Sequence, residues 1–223
     1  MSATITLAKE KETGLIQHIN DVVKEKGLLY RCVGCDKEVI VVKSKPRKKE
    51  WHFRHKVESS CTGGRDTALH DYAVQILINN SAVKVSKKLE ITYTNPRKEV
   101  SFLGKRSDVT VTYENEDIHF EVYVTHDLDP EKIDIYKNYK KKCVKIDLSE
   151  PGLLTATPEK IKEAVLSQHR NKTIIFWKDE VLTAVNSNER NFNWKHLLIV
   201  IAAFIGLRYL WKLLFRPKRR NFR

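Results

Sequence analysis

Two sets of residues in this chain have the types and spacing for chemistry. The first is a pair of carboxylates. Asp108 opens the alternating run Val109, Val111, Tyr113, and Glu121 belongs to a second alternating run, Ile118 to Thr125, beyond a polar turn over 114–117. Paired as an antiparallel hairpin, the two runs bring the acids to one point. Glu121, Tyr123 and Thr125 then share a face, because strand side chains alternate. Two converging carboxylates in a basic chain suit a divalent ion, Mg²⁺ or Mn²⁺, and a phosphodiester substrate. The second set is Cys32-x2-Cys35, followed by His52, His55 and Cys61. Two thiolates in a tight knuckle with a downstream His/Cys pair have the spacing of a tetrahedral zinc site. Cys32, Cys35, His55 and Cys61 are the first choice of ligands, with His52 the substitute for His55. Four protein ligands close such a site, so this zinc would be structural.

The elements that must position these residues are legible in outline. Residues 1–12 read as a loose start, and Thr13 to Glu25 has a partly helical pattern with Gly27 as its stop. Leu28–Cys32 and Glu38–Val42 form a hairpin pinched at the cysteines, and Trp51–His55 is extended. Asp66 to Asn79 is a helix with an apolar stripe of Ala68, Leu69, Tyr72, Ala73, Ile76 and Leu77. Strands over Leu89–Tyr93 and Glu99–Leu103 flank the turn signal Asn95-Pro96. After the carboxylate hairpin, Pro130 starts a helix that leads to the apolar strand Val144–Leu148, a crossover that favours parallel pairing. A helix over Pro158–Ser167 and a strand over Thr173–Trp177 complete the body.

The order of these pieces carries a resemblance. Asp108 and Glu121 across a short hairpin are similar to the core of the PD-(D/E)XK nuclease superfamily. Cys32, Cys35, HFRH at 52–55, Cys61, LHDYAVQIL at 69–77, RSDV at 106–109 and FEVYVTH at 120–126 together resemble the CoiA-like competence nucleases. The resemblance implies an α/β fold, a restriction-endonuclease-like core behind a small N-terminal zinc-binding module. It implies metal-dependent DNA cleavage in DNA uptake or recombination, with Asp108 and Glu121 holding Mg²⁺ or Mn²⁺; defence against foreign DNA fits the same chemistry. Asp66, four residues before His70, takes the place where such relatives carry a helix acid, and His70 that of the helix histidine. In the superfamily's Glu-x-Lys the lysine would fall at position 123, where this chain has Tyr123. A phenol with a pKa near 10 is a poor general base. Lys105, Arg106 or Lys132 are the candidates to bring a lysine-like charge from elsewhere, and His126 is a weaker candidate base than a turn or cap residue. Without such a charge the alternative is a catalytically inactive DNA-binding or scaffold protein, tethered to a membrane, that retains the nuclease fold.

Composition bounds these readings. The chain has 223 residues and a formal charge of +13, but eight basic residues and no acid lie from Trp194 onward, which leaves +5 over residues 1–193. That charge supports a DNA partner without requiring it. Basic clusters at 43–49 (Lys43, Lys45, Arg47, Lys48, Lys49) and at Lys137, Lys140, Lys141, Lys142 and Lys145 are candidate phosphate contacts. No apolar signal-peptide region opens the chain, and the four cysteines read as thiols of a reducing cytosol rather than as disulfides. Leu197 to Phe215 is apolar apart from Arg208 and Lys212, long enough at roughly 28 Å to span a bilayer. The expected organisation is a zinc module at 1–64, a nuclease-like domain at 65–180, a linker at 181–193, a transmembrane or membrane-associated helix at 194–216 and a basic tail at 217–223. The body would then be membrane-anchored in the cytoplasm. A soluble cytoplasmic protein, an interfacial helix, or a helix buried in a homo-oligomer are the alternatives.

Overall fold

The structure, a computed structural model, describes residues 4–23, 28–44, 50–61, 64–125 and 127–177. Met1–Lys178 form one compact unit and Asp179–Arg223 a second. The expected linker, membrane helix and basic tail lie outside the described residues. Among the described residues, no helix is long and apolar enough to cross a membrane.

The chain opens with a five-stranded antiparallel sheet of β1 (Leu7–Glu10), β2 (Ile16–His18), β3 (Tyr30–Arg31), β4 (Glu38–Val42) and β5 (His52–His55), in the order β2-β1-β3-β4-β5. This corrects two expectations. Residues 7–10 are an interior strand rather than a loose start, and the described part of Thr13 to Glu25 carries β2 and turns rather than a helix. The helical spacing of Ile16, Ile19 and Val22 serves a strand and its following turn. Ile16 pairs with Lys9, while Ile19 and Val22 fill the small core around Phe53 and Tyr30.

Helix α1 (Arg65–Ile78) follows, with Ala68, Leu69, Ala73, Val74, Ile76 and Leu77 buried. A small hairpin of β6 (Ala82–Lys84) and β7 (Glu90–Thr92) leads to β8 (Thr94–Phe102). Asn95-Pro96 lies inside β8 as a bulge, with Asn95 at φ 51, rather than separating two strands. β9 (Lys105–Tyr113) and β10 (Glu116–Tyr123) are joined at Glu114 and Asn115, both left-handed, the backbone that suits a two-residue hairpin loop. Helix α2 (Pro130–Asn138), capped by Asp129, crosses to β11 (Lys142–Asp147), which pairs with β10 in parallel as the crossover predicts. A 3-10 turn (Pro151–Thr155), helix α3 (Pro158–Leu166) and β12 (Lys172–Phe176) finish the body. The central sheet runs β12-β11-β10-β9-β8, so the architecture is mixed α/β.

The alternation on β10 is strict. Ile118, Phe120, Val122 and Val124 enter the core with the apolar stripe of α1 and residues of α3. His119 and Glu121 point to the opposite face, where Tyr136 of α2 lies against both. The N-terminal sheet shares this core through Leu7 and Ile16. Gln75 of α1 accepts from the Ile16 amide at 2.9 Å and donates to its carbonyl at 3.0 Å, stitching β2 to the helix.

Candidate functional site: a carboxylate pair and a thiolate cluster

Asp108 and Glu121 meet where the β9–β10 ladder stops. The register runs from Glu116↔Tyr113 to Phe120↔Val109 and goes no further. Past it the Val122 amide donates to Asp108 Oδ2 at 2.7 Å rather than to a strand carbonyl. The same oxygen lies 3.3 Å from His70 Nε2 on α1, and His70 Nδ1 lies 3.4 Å from Asp71. The bond to Asp108, then that to Asp71, raises His70 to about 9, so it is a cation at neutral pH. Burial works against ionising Asp108, but the His70 bond and charge and the Val122 amide outweigh it and hold the carboxyl below its usual range.

Glu121 is 2% exposed and bonded at both oxygens. Lys132 Nζ donates to Oε2 at 2.6 Å, and the Tyr136 hydroxyl donates to Oε1. Burial and then the Asp108 charge push Glu121 up to about 7 in spite of these partners. Burial and the Glu121 charge keep the Tyr136 phenol firmly protonated, hence a donor. Of the three cations that sequence offered in place of a lysine at 123, Lys132 is the one at the site. Lys105 is taken by Asp129 and Glu131, at 2.8 and 2.6 Å, and Arg106 by Glu99 at 3.1 Å. Tyr123 is half-buried under the Lys145 ammonium, 5.1 Å from its ring centroid. Asp66 occupies the first turn of α1, and its carboxylate makes no side-chain hydrogen bond or ion pair with the described residues. His126 lies outside the described residues.

Sequence reasoning missed Tyr136. The signal was present, because Lys132 and Tyr136 are four apart on the helix that directly follows Glu121, and so share a face. The same face of the sheet holds a neutral relay of Ser107, Thr110 and His119. Ser107 Oγ lies 2.6 Å from Thr110 Oγ1, which lies 3.0 Å from His119 Nδ1, and burial pushes the imidazole down to about 4.

Carboxylate oxygens are the donors a hard divalent ion takes, but both Glu121 oxygens are bonded to Lys132 and Tyr136. Asp108 Oδ1 carries no protein partner among the described residues, and the mutual repulsion that raises Glu121 is what a cation between the carboxylates would relieve. The one group of three or more side chains at metal-ligand separations among the described residues is a different one, the thiolate cluster.

That cluster is Cys32, Cys35, His55 and Cys61, whose ligand atoms all lie within 4.8 Å of one another. The knuckle is closed by the Cys32 amide on the Lys37 carbonyl and the Asp36 amide on the Cys32 carbonyl, both at 2.9 Å, with Asp36 at φ 55. Cys32 Sγ and Cys61 Sγ are 3.8 Å apart, close to the edge of about 3.8 Å of a tetrahedron with 2.3 Å zinc–sulfur bonds. His55, opposite Val39 at the end of β5, places Nε2 3.2 Å from Cys35 Sγ, while His52 turns Nδ1 to the Glu50 carbonyl. The cluster could hold a zinc ion, with His55 as the third ligand rather than His52.

Of the two basic clusters, Lys43, Lys141, Lys142 and Lys145 have partners inside the protein. Lys43 reaches the Asn20 and Val22 carbonyls and stacks on Trp51, while 45–49 lie outside the described residues. Lys142 pairs with Glu116 and Lys145 with Asp127, and Lys141 lies over Phe102; Lys137 and Lys140 are exposed. No protein family, characterised protein or solved structure matches the chain. The functional reading therefore rests on the residues themselves.

Proposed function

We propose that this chain is a Mg²⁺- or Mn²⁺-dependent deoxyribonuclease of the PD-(D/E)XK kind, resembling the CoiA-like nucleases, that hydrolyses DNA phosphodiester bonds. The observation that carries the reading is the convergence of Asp108, Glu121 and Lys132 where two strands part. Asp108 and Glu121 would hold the ion, and the chemistry it supplies is water activation and stabilisation of the departing oxygen. The chain's own residues do the rest. His70 and the Val122 amide fix one oxygen of Asp108. Tyr136 fixes Glu121, and Lys132 sets a positive charge beside it, where negative charge develops on the scissile phosphate. Lys132, reaching in from α2, takes the role that Tyr123 cannot fill. The process would be DNA uptake, recombination or defence, with the body cytoplasmic and tethered through 194–216.

One observation favours a second reading, a DNA-binding or scaffold protein without cleavage. Both Glu121 oxygens are already bonded inside the protein, and a metal must displace one of those bonds. The experiment that separates the readings incubates the full chain, and its Glu121→Gln and Lys132→Met variants, with linear, circular and single-stranded DNA in Mg²⁺, Mn²⁺ or EDTA. Metal-dependent cleavage by the wild type, lost in Glu121→Gln and reduced at least about 100-fold in Lys132→Met, is expected. Intact binding with no cleavage in any metal moves the assignment to the binding protein.

A further inference from the structure

Helix α2 ends in an aromatic ledge on the face of the sheet that carries Glu121. Lys132, Tyr136 and Tyr139 fall at helical spacing along α2 and its C-cap, on the side that meets the sheet. The Tyr136 ring lies 5.2 Å from that of His119 and its hydroxyl donates to Glu121, so both β10 side chains are on this side. His119 and Glu121 are two residues, about 7 Å, apart along the strand. The ring of Phe102, the last residue of β8, stacks on His119 with centroids 6.2 Å apart, and the Tyr139 ring stands edge-on to Phe102 at 5.8 Å. Contact by contact, the rings lead from the buried carboxylate to the surface, where Tyr139 is 57% exposed.

Tyr139 is held in place as well as exposed. Its amide bonds to the Ile135 and Lys137 carbonyls, and the edge-on contact with Phe102 sets its ring. Its surroundings are positive. Lys141 places its ammonium 5.3 Å from the Phe102 centroid, Lys140 is exposed, and neither pairs with a carboxylate among the described residues. The acids of the neighbouring elements have cations of their own: Asp117 has Arg97, Glu99 has Arg106, Glu116 has Lys142, and Asp129 and Glu131 share Lys105. Asp134, two residues from both Lys132 and Tyr136, is on the other side of α2. A fixed, exposed ring beside unneutralised ammonium groups suits a nucleobase and its phosphate, since every base offers a π face and the cations meet the backbone. In a duplex those faces are already stacked, so the ring can take a base only from an unpaired strand.

We propose that Tyr139, backed by Phe102 and flanked by Lys140 and Lys141, is a stacking platform for an unpaired base of the DNA strand that enters the carboxylate site. The assignment rests on the nuclease reading and deepens it by naming the form of the substrate, a strand that is single where it crosses the end of α2. The platform lies a few base rises of about 3.4 Å from Glu121, adds affinity for single strands, and carries no base specificity.

The test measures binding of the full chain to a short fluorescent single strand and to its duplex, by anisotropy, without chelator and without added Mg²⁺ or Mn²⁺. Tyr139→Leu keeps an apolar neighbour for Phe102 but no ring face, Tyr139→Phe keeps the ring, and thermal midpoints confirm that the variants fold. Tyr139→Leu is expected to bind the single strand about tenfold more weakly and Tyr139→Phe to match the wild type, with duplex binding of all three within about twofold. Lys140→Gln/Lys141→Gln is expected to flatten the log–log salt slope for the single strand by about 1.4. Unchanged single-strand affinity in Tyr139→Leu, or an unchanged slope in the lysine variant, overturns the platform and leaves the nuclease reading standing. Equal losses for single strand and duplex in Tyr139→Leu overturn it as a stacking site. A change from dimer to monomer in Tyr139→Leu, seen by sedimentation with single-strand binding unaltered, assigns the ring to a second copy of the chain and overturns it as well. A wild-type chain that neither binds nor cleaves DNA of either form overturns both proposals together.

Discussion

At the scale of single residues, the site is a balance between buried charges of both signs. Lys132 and Glu121 are 16% and 2% exposed, so each depends on the other in a region that solvates neither. Lys132→Met leaves Glu121 beside Asp108 without its cation, and its pKa must rise further above 7. An acid whose folded pKa lies above its unfolded value binds its proton more tightly when folded, so stability is retained at low pH and lost as pH rises from about 4.5 through the folded pKa. The destabilisation by Lys132→Met is therefore expected to be about 1 kcal/mol at pH 5.5 and about 3 kcal/mol at pH 8, read from urea unfolding at both. A pH-independent loss would show that Lys132 acts through packing alone. His119 works in the opposite sense. Its folded pKa of about 4 lies below the unfolded 6.5, so the unfolded chain binds more protons in that window and acid destabilises the fold. His119→Gln, able to keep a bond to Thr110, is expected to remove of order 1–3 kcal/mol of the stability change between pH 6.5 and 4. Because Glu121 titrates in the same window with the other sign, the comparison must be between variant and wild type at each pH.

At the scale of elements, the thiolate knuckle and the helix that carries His70 touch at two glycines. Gly64, the N-cap of α1, has φ 54, and a Cβ there would lie 2.5 Å from Gly34 Cα and 2.7 Å from Gly34 N, inside the Cys32–Cys35 knuckle. Gly64→Ala must therefore move the knuckle or the start of α1. Gly104 separates that effect from backbone strain, since it has φ 77 but nothing within 4 Å of an added Cβ. Gly104→Ala is expected to cost about 1 kcal/mol, and Gly64→Ala about 3 kcal/mol together with faster zinc loss to a chromophoric chelator. Equal costs with equal zinc retention would mean the two glycines are needed only for their dihedrals. This contact was invisible in the sequence, because it joins backbones thirty positions apart. Other elements were legible where the pattern was local and strict: the alternation of β9 and β10, the apolar stripe of α1, Pro130 at the start of α2, and the His55 and Cys61 spacing. The misreadings fall where a distant partner decides. Residues 16–18 form a strand because β1 pairs with them and Gln75, 59 positions away, holds the Ile16 main chain. Glu121 was legible as an acid on a strand, but the choice of Lys132 over Lys105 and Arg106 depended on where α2 docks and which carboxylates take the other two.

At the scale of the described body, the N-terminal sheet is fastened to the α/β core rather than appended to it. Leu7 and Ile16 are part of the main core, Thr6 Oγ1 donates to the Leu154 carbonyl at 3.1 Å, and His18 Nε2 meets the Ala156 carbonyl at 3.0 Å. The small core of that sheet, around Phe53, Tyr30 and Val39, has few residues of its own and includes Cys32, with Cys35 and Cys61 packed against it. A sheet with so little apolar filling would draw stability from a zinc ion held by Cys32, Cys35, His55 and Cys61, and metal binding there would be folding free energy for whatever the sheet is joined to. Chelation should therefore act on the whole of Met1–Lys178 and not on a detachable module. With EDTA the thermal transition of this unit is expected to fall by roughly 10 °C or more, the equivalent of about 3–5 kcal/mol for a body of this size, and to remain a single transition. Cys61→Ser should reproduce the shift without chelator, and added zinc should reverse it in the wild type only. Differential scanning calorimetry followed by far-UV and near-UV circular dichroism separates the outcomes. Two resolved transitions, with the second at the temperature of the zinc-loaded protein, would show that the α/β core stands alone and that the links at Thr6, His18 and Gln75 are decoration. A single lowered transition would make metal at the thiolate cluster a condition for the fold that presents Asp108 and Glu121, so that any effect of chelation on the proposed cleavage must be divided between the two candidate metal sites.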